Sequence, residues 1–512
     1  YTYRWFSHLF LRSTQGSPNT YNYIGSPVNS VGASTYTFSD VVKDGTTPLS
    51  ESSALVDITF IGGNNYDGAT TDPITLADYW MYSFGFESGG AWSQKRSSGT
   101  ISQTDGLIFK GPGRAQNYTF VGTPKDGTMQ TTVASETSYL LGNPFASAIN
   151  SKKFLEDNLS STTGSLYFWE HQESANGETN QTGHNYGGYV GGYAIRNMSM
   201  GLAANNPSNT SNDNNGIAGL GNGVYTEPEQ YIAIAQGFFV VGSASGGVIE
   251  FNNSQREFII EGAQSVFFRT QEEDDDVGEN SLPIIKLGLN YVGEENSEMH
   301  RQIGISFSDT NSFAFEKGYD TPAFDLGVTD FYWDFSSIQD DTPYFITGVQ
   351  SITEELEVPL TILMNYSGDI SIQIDEWNKI YREVYILDKV ENSYHLLNEE
   401  SVTFNLEQGE YKDRFYLTFG SVVLGVGSIQ DTRRFHVYVD NSNREIVING
   451  LEDATVSSVK LYDFLGKQVQ EWTELDRQST YQLNLHKILH GMYIVQVETD
   501  KGISSKKVYI NK

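Results

Sequence analysis

The chain has 512 residues, of which 64 are Asp or Glu and 32 are Lys or Arg, giving a formal charge of −32; cysteine is absent and 38% of residues are hydrophobic. The acidic balance argues against nucleic acid or anionic lipid as the main ligand, and the missing cysteine excludes disulfides, thiolate metal sites and cysteine nucleophiles. No apolar run approaches the roughly 20 residues that a membrane helix needs, so the chain is expected to be soluble. It starts at Tyr1 with neither Met nor a basic-then-apolar leader, and reads as a mature or truncated fragment. Fifty Gly, 31 Tyr and 29 Phe among dense Ser, Thr and Asn suit pleated sheets joined by tight turns. The expected fold is all-β, with tandem β-sandwich domains ending in an Ig-like antiparallel sandwich.

Residues 1–270 form a Gly- and aromatic-rich β region with short apolar stretches such as Ala54-Leu-Val-Asp-Ile-Thr-Phe60 and Tyr231-Ile-Ala-Ile-Ala-Gln-Gly-Phe-Phe-Val-Val241. Gly122-Thr-Pro-Lys-Asp-Gly127 reads as a hairpin turn, in which Pro124 fixes φ and Gly127 is free to take positive φ. The polar stretch 205–223 reads as a long surface loop. Residues 271–281 are dominated by carboxylates that repel one another and resist unpaired burial, which predicts an exposed acidic linker. Calcium is the sharper reading of that run, but it needs six to eight oxygens arranged in space. From 282 to 420, segments such as Ile284-Ile-Lys-Leu-Gly-Leu289, Gln302-Ile-Gly-Ile-Ser-Phe307 and Ile370-Ser-Ile-Gln-Ile374 alternate with period two, which predicts a second sandwich. Residues 421–433 form a linker, and 434–512 a last antiparallel unit in which Val459 and Leu461 alternate with Lys460 and Tyr462, and Tyr493, Val495 and Val497 share a face.

Catalytic constellations are sparse. The chain contains no His-Glu-x-x-His, no Gly-x-Ser-x-Gly and no Walker loop. Gly219-Leu-Gly-Asn-Gly223 lacks the strand-then-helix context of a dinucleotide site, and His171 with His184 nominates no third metal ligand. Carboxylate pairs for glycoside hydrolysis depend on the fold rather than on spacing. The expectation is that no catalytic centre and no cofactor belong to these residues.

Three segments in the last unit occur together and in a telling order: Leu461-Tyr-Asp-Phe-Leu-Gly-Lys467, Ile488-Leu-His-Gly-Met-Tyr-Ile-Val495 and Lys506-Lys-Val508. They resemble the type A sorting domain of type IX secretion substrates from Bacteroidetes, with its Tyr-Asp-x-x-Gly-Lys hairpin, Leu-x-x-Gly-x-Tyr-x-Val segment and closing Lys-Lys-Val strand. Ile488 replaces the usual Leu, a volume-conserving change, and Phe435-His-Val-Tyr438 is followed by Val-Asp-Asn-Ser where the family has Pro-Asn-Pro. The resemblance implies that Tyr462, Asp463, Gly466, Lys467, Gly491, Tyr493, Val495, Lys506, Lys507 and Val508 carry a sorting signal. It further implies passage through an outer-membrane translocon barrel, recognition by an outer-membrane shuttle barrel, and often cleavage of the module with attachment of the cargo to lipopolysaccharide. Residues 434–512 hold ten Lys or Arg and ten Asp or Glu, so the whole net charge lies ahead of them. A neutral module on an acidic cargo escapes the repulsion that its cargo would feel.

The rest of the chain resembles, more loosely, the β-rich region ahead of such modules in large flavobacterial surface proteins, through Tyr21-Asn-Tyr-Ile-Gly-Ser-Pro-Val28, Leu140-Leu-Gly-Asn-Pro-Phe-Ala-Ser-Ala-Ile149, Gly164-Ser-Leu-Tyr-Phe-Trp169 and Ile249-Glu-Phe-Asn-Asn-Ser-Gln-Arg256. Its aromatic clusters read as core or as a ligand platform. Two function classes follow. One is a noncatalytic adhesin of the cell surface, or its stalk and anchor. The other is the accessory end of a secreted hydrolase, in which Trp169, Tyr186 and Tyr189 stack on a glycan ligand.

Overall fold

The computed structural model describes residues 9–510 apart from 14–20, 46–55, 86–89, 114–115, 172, 175–190, 205, 208–216, 219–226, 260–281, 293–297, 325, 338–340, 399, 421–435, 441–443, 450–454, 464–466, 474, 476–477, 479, 487 and 500–501. The fold is all-β, and the chain divides into two compact units, Tyr1–Gly420 and Ser421–Lys512. The α-helices among the described residues are short, Phe38–Val41 and Ser151–Asn158. The second starts where the Asn150 side chain accepts the Lys153 N–H, and it turns Phe154 and Leu155 inward.

In the first unit, a four-stranded antiparallel sheet runs in the order Ala91–Gln94, Tyr82–Gly85, Leu107–Lys110, Tyr21–Ile24. A second sheet orders Ser138–Gly142, Gly237–Val241, Leu166–His171, Gly191–Arg196 and Gly201–Leu202. The largest sheet carries Ile284–Val292 between Glu298–Phe307 and Gly368–Asn378, all antiparallel. Alternation works as expected on Ile284–Val292: Ile285, Leu287 and Leu289 enter the core. Lys286 and Gly288 are nevertheless buried too, because other chain segments cover the second face.

Residues on both sides of the acidic run contribute to one hydrophobic core. Ile108, Leu140, Tyr167, Ile195 and Phe239 cluster with Ile285, Leu287, Ile303, Ile305 and Trp333, and Asn206–Pro207 pairs with Met299 and His300. Segments 1–270 and 282–420, distinct on the sequence, are therefore packed as one unit. The first segment packs two clusters of its own, one around Phe154 and Phe238 and one around Phe38 and Phe109, and it completes the third together with the large sheet. The acidic run 271–281 lies outside the described residues.

The turn at 122–127 is also differently built from the expected hairpin. Gly127 takes φ +78°, but Thr123–Pro124 pairs with Val28–Asn29 while Met129–Val133 pairs with Gly247–Phe251. The turn thus passes the chain from one sheet to another, and Pro124, which lacks an N–H, sits in a two-stranded pairing that tolerates the loss.

The second unit is a two-sheet antiparallel sandwich. One sheet orders His436–Asp440, Glu445–Asn449, Thr480–Asn484; the other orders Gln468–Thr473, Val456–Asp463, Gly491–Thr499, Gly502–Ile510. Ile446, Ile448, Val459, Leu461, Leu483, Val495, Val497 and Ile510 fill the space between them.

Candidate functional site

The sorting motifs, spread over almost fifty residues of sequence, meet at one end of the four-stranded sheet of the second unit. Register places Leu461 beside Val495 and Val495 beside Lys506; Tyr462 beside Ile494 and Ile494 beside Lys507; Asp463 beside Tyr493 and Tyr493 beside Val508. Three adjoining cross-strand rows thus gather Tyr462, Asp463, Tyr493, Val495, Lys506, Lys507 and Val508. Val495 and Val508 point into the core, Tyr493 packs at its margin, and Lys506 and Lys467 are exposed. The Tyr462 hydroxyl donates to Gln496 Oε1 at 3.3 Å.

Asp463 closes the hairpin. Its N–H donates to the Lys467 carbonyl at 2.9 Å, and its Oδ1 accepts the Lys467 N–H at 2.9 Å, so the carboxylate satisfies the donor that begins the return strand. Gly466 lies outside the described residues. Gly491 has φ +152°, and the nearest atom to an added Cβ is Tyr493 Cε2 at 3.8 Å. Its need is for backbone freedom, not for space.

The first unit holds a polar cluster that no motif announced. Lys286 pairs with Glu376, whereas the next residue, Leu287, pairs with Ile374, so Asp375 is an extra residue in a β-bulge. The bulge turns Asp375 toward His300, whose Nε2 lies 2.7 Å from Asp375 Oδ2 and whose Nδ1 lies 2.8 Å from Asn290 Oδ1. Gln302 Nε2 and Gln373 Nε2 donate to the same carboxylate at 3.0 and 2.8 Å. Burial pushes the Asp375 carboxyl up, but these hydrogen bonds and the His300 contact outweigh it and hold the group below the usual carboxylate range. Gly288 makes the room: a Cβ there would stand 2.4 Å from His300 Cε1 and 2.5 Å from both Asp375 oxygens. Glu376, the other bulge residue, pairs with buried Lys286 at 2.6 Å, and Glu227 pairs with the same ammonium. Burial would push Lys286 down; the two carboxylates outweigh it and hold the ammonium above its ordinary value. Both His300 ring nitrogens have internal partners, and the cluster ties together the three neighbouring strands Glu298–Phe307, Ile284–Val292 and Gly368–Asn378.

The face of the four-stranded sheet opposite Leu107 and Phe109 carries five aromatic rings, Trp92, Phe84, Tyr82, Tyr23 and Tyr21. Cross-strand partners set Trp92 beside Phe84, Gln94 beside Tyr82, Tyr82 beside Ile108, Ile108 beside Tyr23, and Lys110 beside Tyr21. The Lys110 ammonium, fully buried, sits 4.7 Å from the Trp80 ring centroid and 5.2 Å from that of Tyr21. Burial pushes it down to about 8 against the opposing pull of Asp67. Trp169, singled out on the sequence, stacks on Tyr23 at 6.4 Å and meets Tyr193 edge-on at 5.1 Å. It supports the aromatic face from within the neighbouring sheet. Tyr186, Tyr189, His184 and the loop Gly219–Gly223 lie outside the described residues, as does the His171 side chain. No group of three or more His, Asp or Glu placed to hold a metal ion occurs among the described residues.

Comparison with known proteins adds two family matches. Residues 440–511 match the model of a secretion system C-terminal sorting domain, in agreement with the three motif rows, and the chain is accordingly a substrate of the type IX secretion machinery exported to the cell surface or the extracellular space. Residues 63–419 match a domain of unknown function (DUF8693), whose span crosses the acidic run just as the shared core does. No curated protein matches the chain. A solved structure titled "Biofilm associated protein - BSP domain" aligns over 99% of this chain and 96% of its own at 9% identity, and its TM-score of 0.17 carries no argument about fold or function. With its match running over most of the sequence, the chain belongs to the family defined by the domain of unknown function DUF8693, which here precedes a secretion system C-terminal sorting domain.

Proposed function

We propose that the protein is a noncatalytic adhesin of the cell surface, or the stalk and anchor of one, and that its last unit hands it to the shuttle and translocon barrels of the outer membrane. The observation that carries the reading is the gathering of the sorting motifs into three adjoining rows on one sheet of a unit that packs its own core. Export ends in cleavage between residues 421 and 434 and attachment of the first unit to lipopolysaccharide. Mass spectrometry of surface-released protein checks this: C-terminal peptides ending inside that window support it, and recovery of Lys512 in most molecules overturns it. A reporter fused to residues 434–512 is expected to reach the surface, and its retention inside the cell would sink the sorting assignment. The second reading, the accessory region of a secreted hydrolase, draws its support from the aromatic face. It predicts a catalytic domain in the same gene product, and activity of residues 1–512 themselves on polysaccharide, peptide or ester substrates would overturn the noncatalytic reading.

A further inference from the structure

The aromatic face of the first unit does not end where the core ends. Trp92 is braced edge-to-face by Phe84 at 5.1 Å, Phe239 at 6.0 Å and Tyr23 at 6.4 Å, yet remains 42% exposed. From Phe239 the ring contacts continue to Tyr193 at 6.0 Å and from there to Phe324 at 4.8 Å, which is 39% exposed. Two solvent-facing rings thus cap a continuous chain of packed ones. Rings held by several edge-to-face contacts have little freedom left to lose on binding, so a ligand lying on them meets a surface already ordered for it.

The geometry points to a shelf that binds a neutral polysaccharide. Sugar rings offer flat C–H faces to aromatic rings and hydroxyls to the polar groups beside them, here the Tyr82 hydroxyl and Gln94, which lie 3.3 Å apart on the same face as Trp92. The charge of −32 selects among chains: an anionic glycan meets repulsion along its length, whereas a neutral one meets none. The proposal deepens the adhesin reading and rests on it for access to this face outside the cell.

The test is affinity electrophoresis of the full chain through gels containing a neutral β-glucan, a neutral α-glucan, a mannan, alginate as the anionic arm and chitosan as the cationic arm. At least one neutral polymer is expected to retard the protein and alginate to leave it unretarded. Trp92→Leu and Phe324→Leu, which keep apolar bulk but remove the flat ring, are each expected to weaken retardation about tenfold, with unfolding midpoints recorded to show that both variants fold. No retardation by any neutral polymer, retardation by chitosan alone, or unchanged retardation in both folded variants would overturn the shelf. Attachment of cells to surfaces separates the two proposals. Attachment lost on gene deletion but retained with Trp92→Leu overturns the glycan shelf and leaves the adhesin; attachment unaffected by deletion overturns the adhesin reading whatever the gels show.

Discussion

Asp320 lies largely buried, with Oδ1 accepting from the Thr347 hydroxyl at 2.9 Å and the Gly348 N–H at 2.8 Å, and Oδ2 from the Glu316 N–H at 2.7 Å. Burial outweighs these bonds and lifts its carboxyl from 3.8 to about 6. The folded chain therefore holds a proton that the unfolded chain has already released, and stability is expected to fall as pH rises from about 4 to 6 and then level off. Asp320→Asn keeps one carbonyl acceptor and loses the acceptor for Glu316, a constant offset, so its unfolding midpoint should lack this decline. Parallel pH profiles of the two proteins would refute the assignment. Arg301 and Asp330 are joined by two parallel hydrogen bonds of 3.0 and 2.9 Å although both side chains are almost wholly out of water, and burial outweighs the guanidinium and still lifts the Asp330 carboxyl. Arg301→Met leaves the buried Asp330 carboxylate with only the Gly327 and Phe331 N–H groups and is expected to cost about 3–5 kcal/mol in denaturant unfolding. A loss below ~1 kcal/mol would mean that water reaches Asp330.

Among the elements, the bulge at Asp375 and the strand start at Gly491 are single-residue devices with opposite signatures. Gly288→Ala forces a Cβ into His300 and Asp375, so the loss is steric and should reach about 1–3 kcal/mol. Gly491→Ala meets only an ordinary contact with the Tyr493 ring and strains the backbone alone, a loss of about 1 kcal/mol. Chemical denaturation of each variant tests the distinction, and equal losses would contradict it. The alternation of Ile285, Leu287 and Leu289 is legible in the sequence because one face of a strand repeats every second residue. The covering of the other face is not legible, since Met200 and Glu227 reach it from far back in the chain. The bulge is equally silent, because an extra residue changes pairing without changing composition. The sorting motifs could be recognised by order, but their assembly into adjoining rows depends on the register of three strands. The aromatic shelf left the weakest trace: Trp169 stood out as an aromatic, whereas Trp92, Phe239 and Phe324 share no period and meet only in the fold.

For the whole molecule, the shared core decides what can fold by itself. Leu140, Tyr167, Ile195 and Phe239 belong to a cluster completed by residues on the far side of the acidic run, so a fragment of residues 1–270 keeps its clusters around Phe154 and Phe109 but loses part of the cover over these four. Residues 1–420 contain both halves of that core, and residues 434–512 bury Ile446, Leu461, Val495 and Ile510 among themselves. The expected outcome is that 1–420 and 434–512, expressed separately, each unfold in one cooperative transition, whereas 1–270 is insoluble or melts without one. Calorimetry of the three fragments checks it. A soluble 1–270 fragment with a sharp transition would show that its strands close their own core and that the large sheet merely docks on it. The shared core bears on export as well: a cargo whose core joins residues on both sides of the acidic run cannot complete that core while residues up to 419 are missing or unfolded.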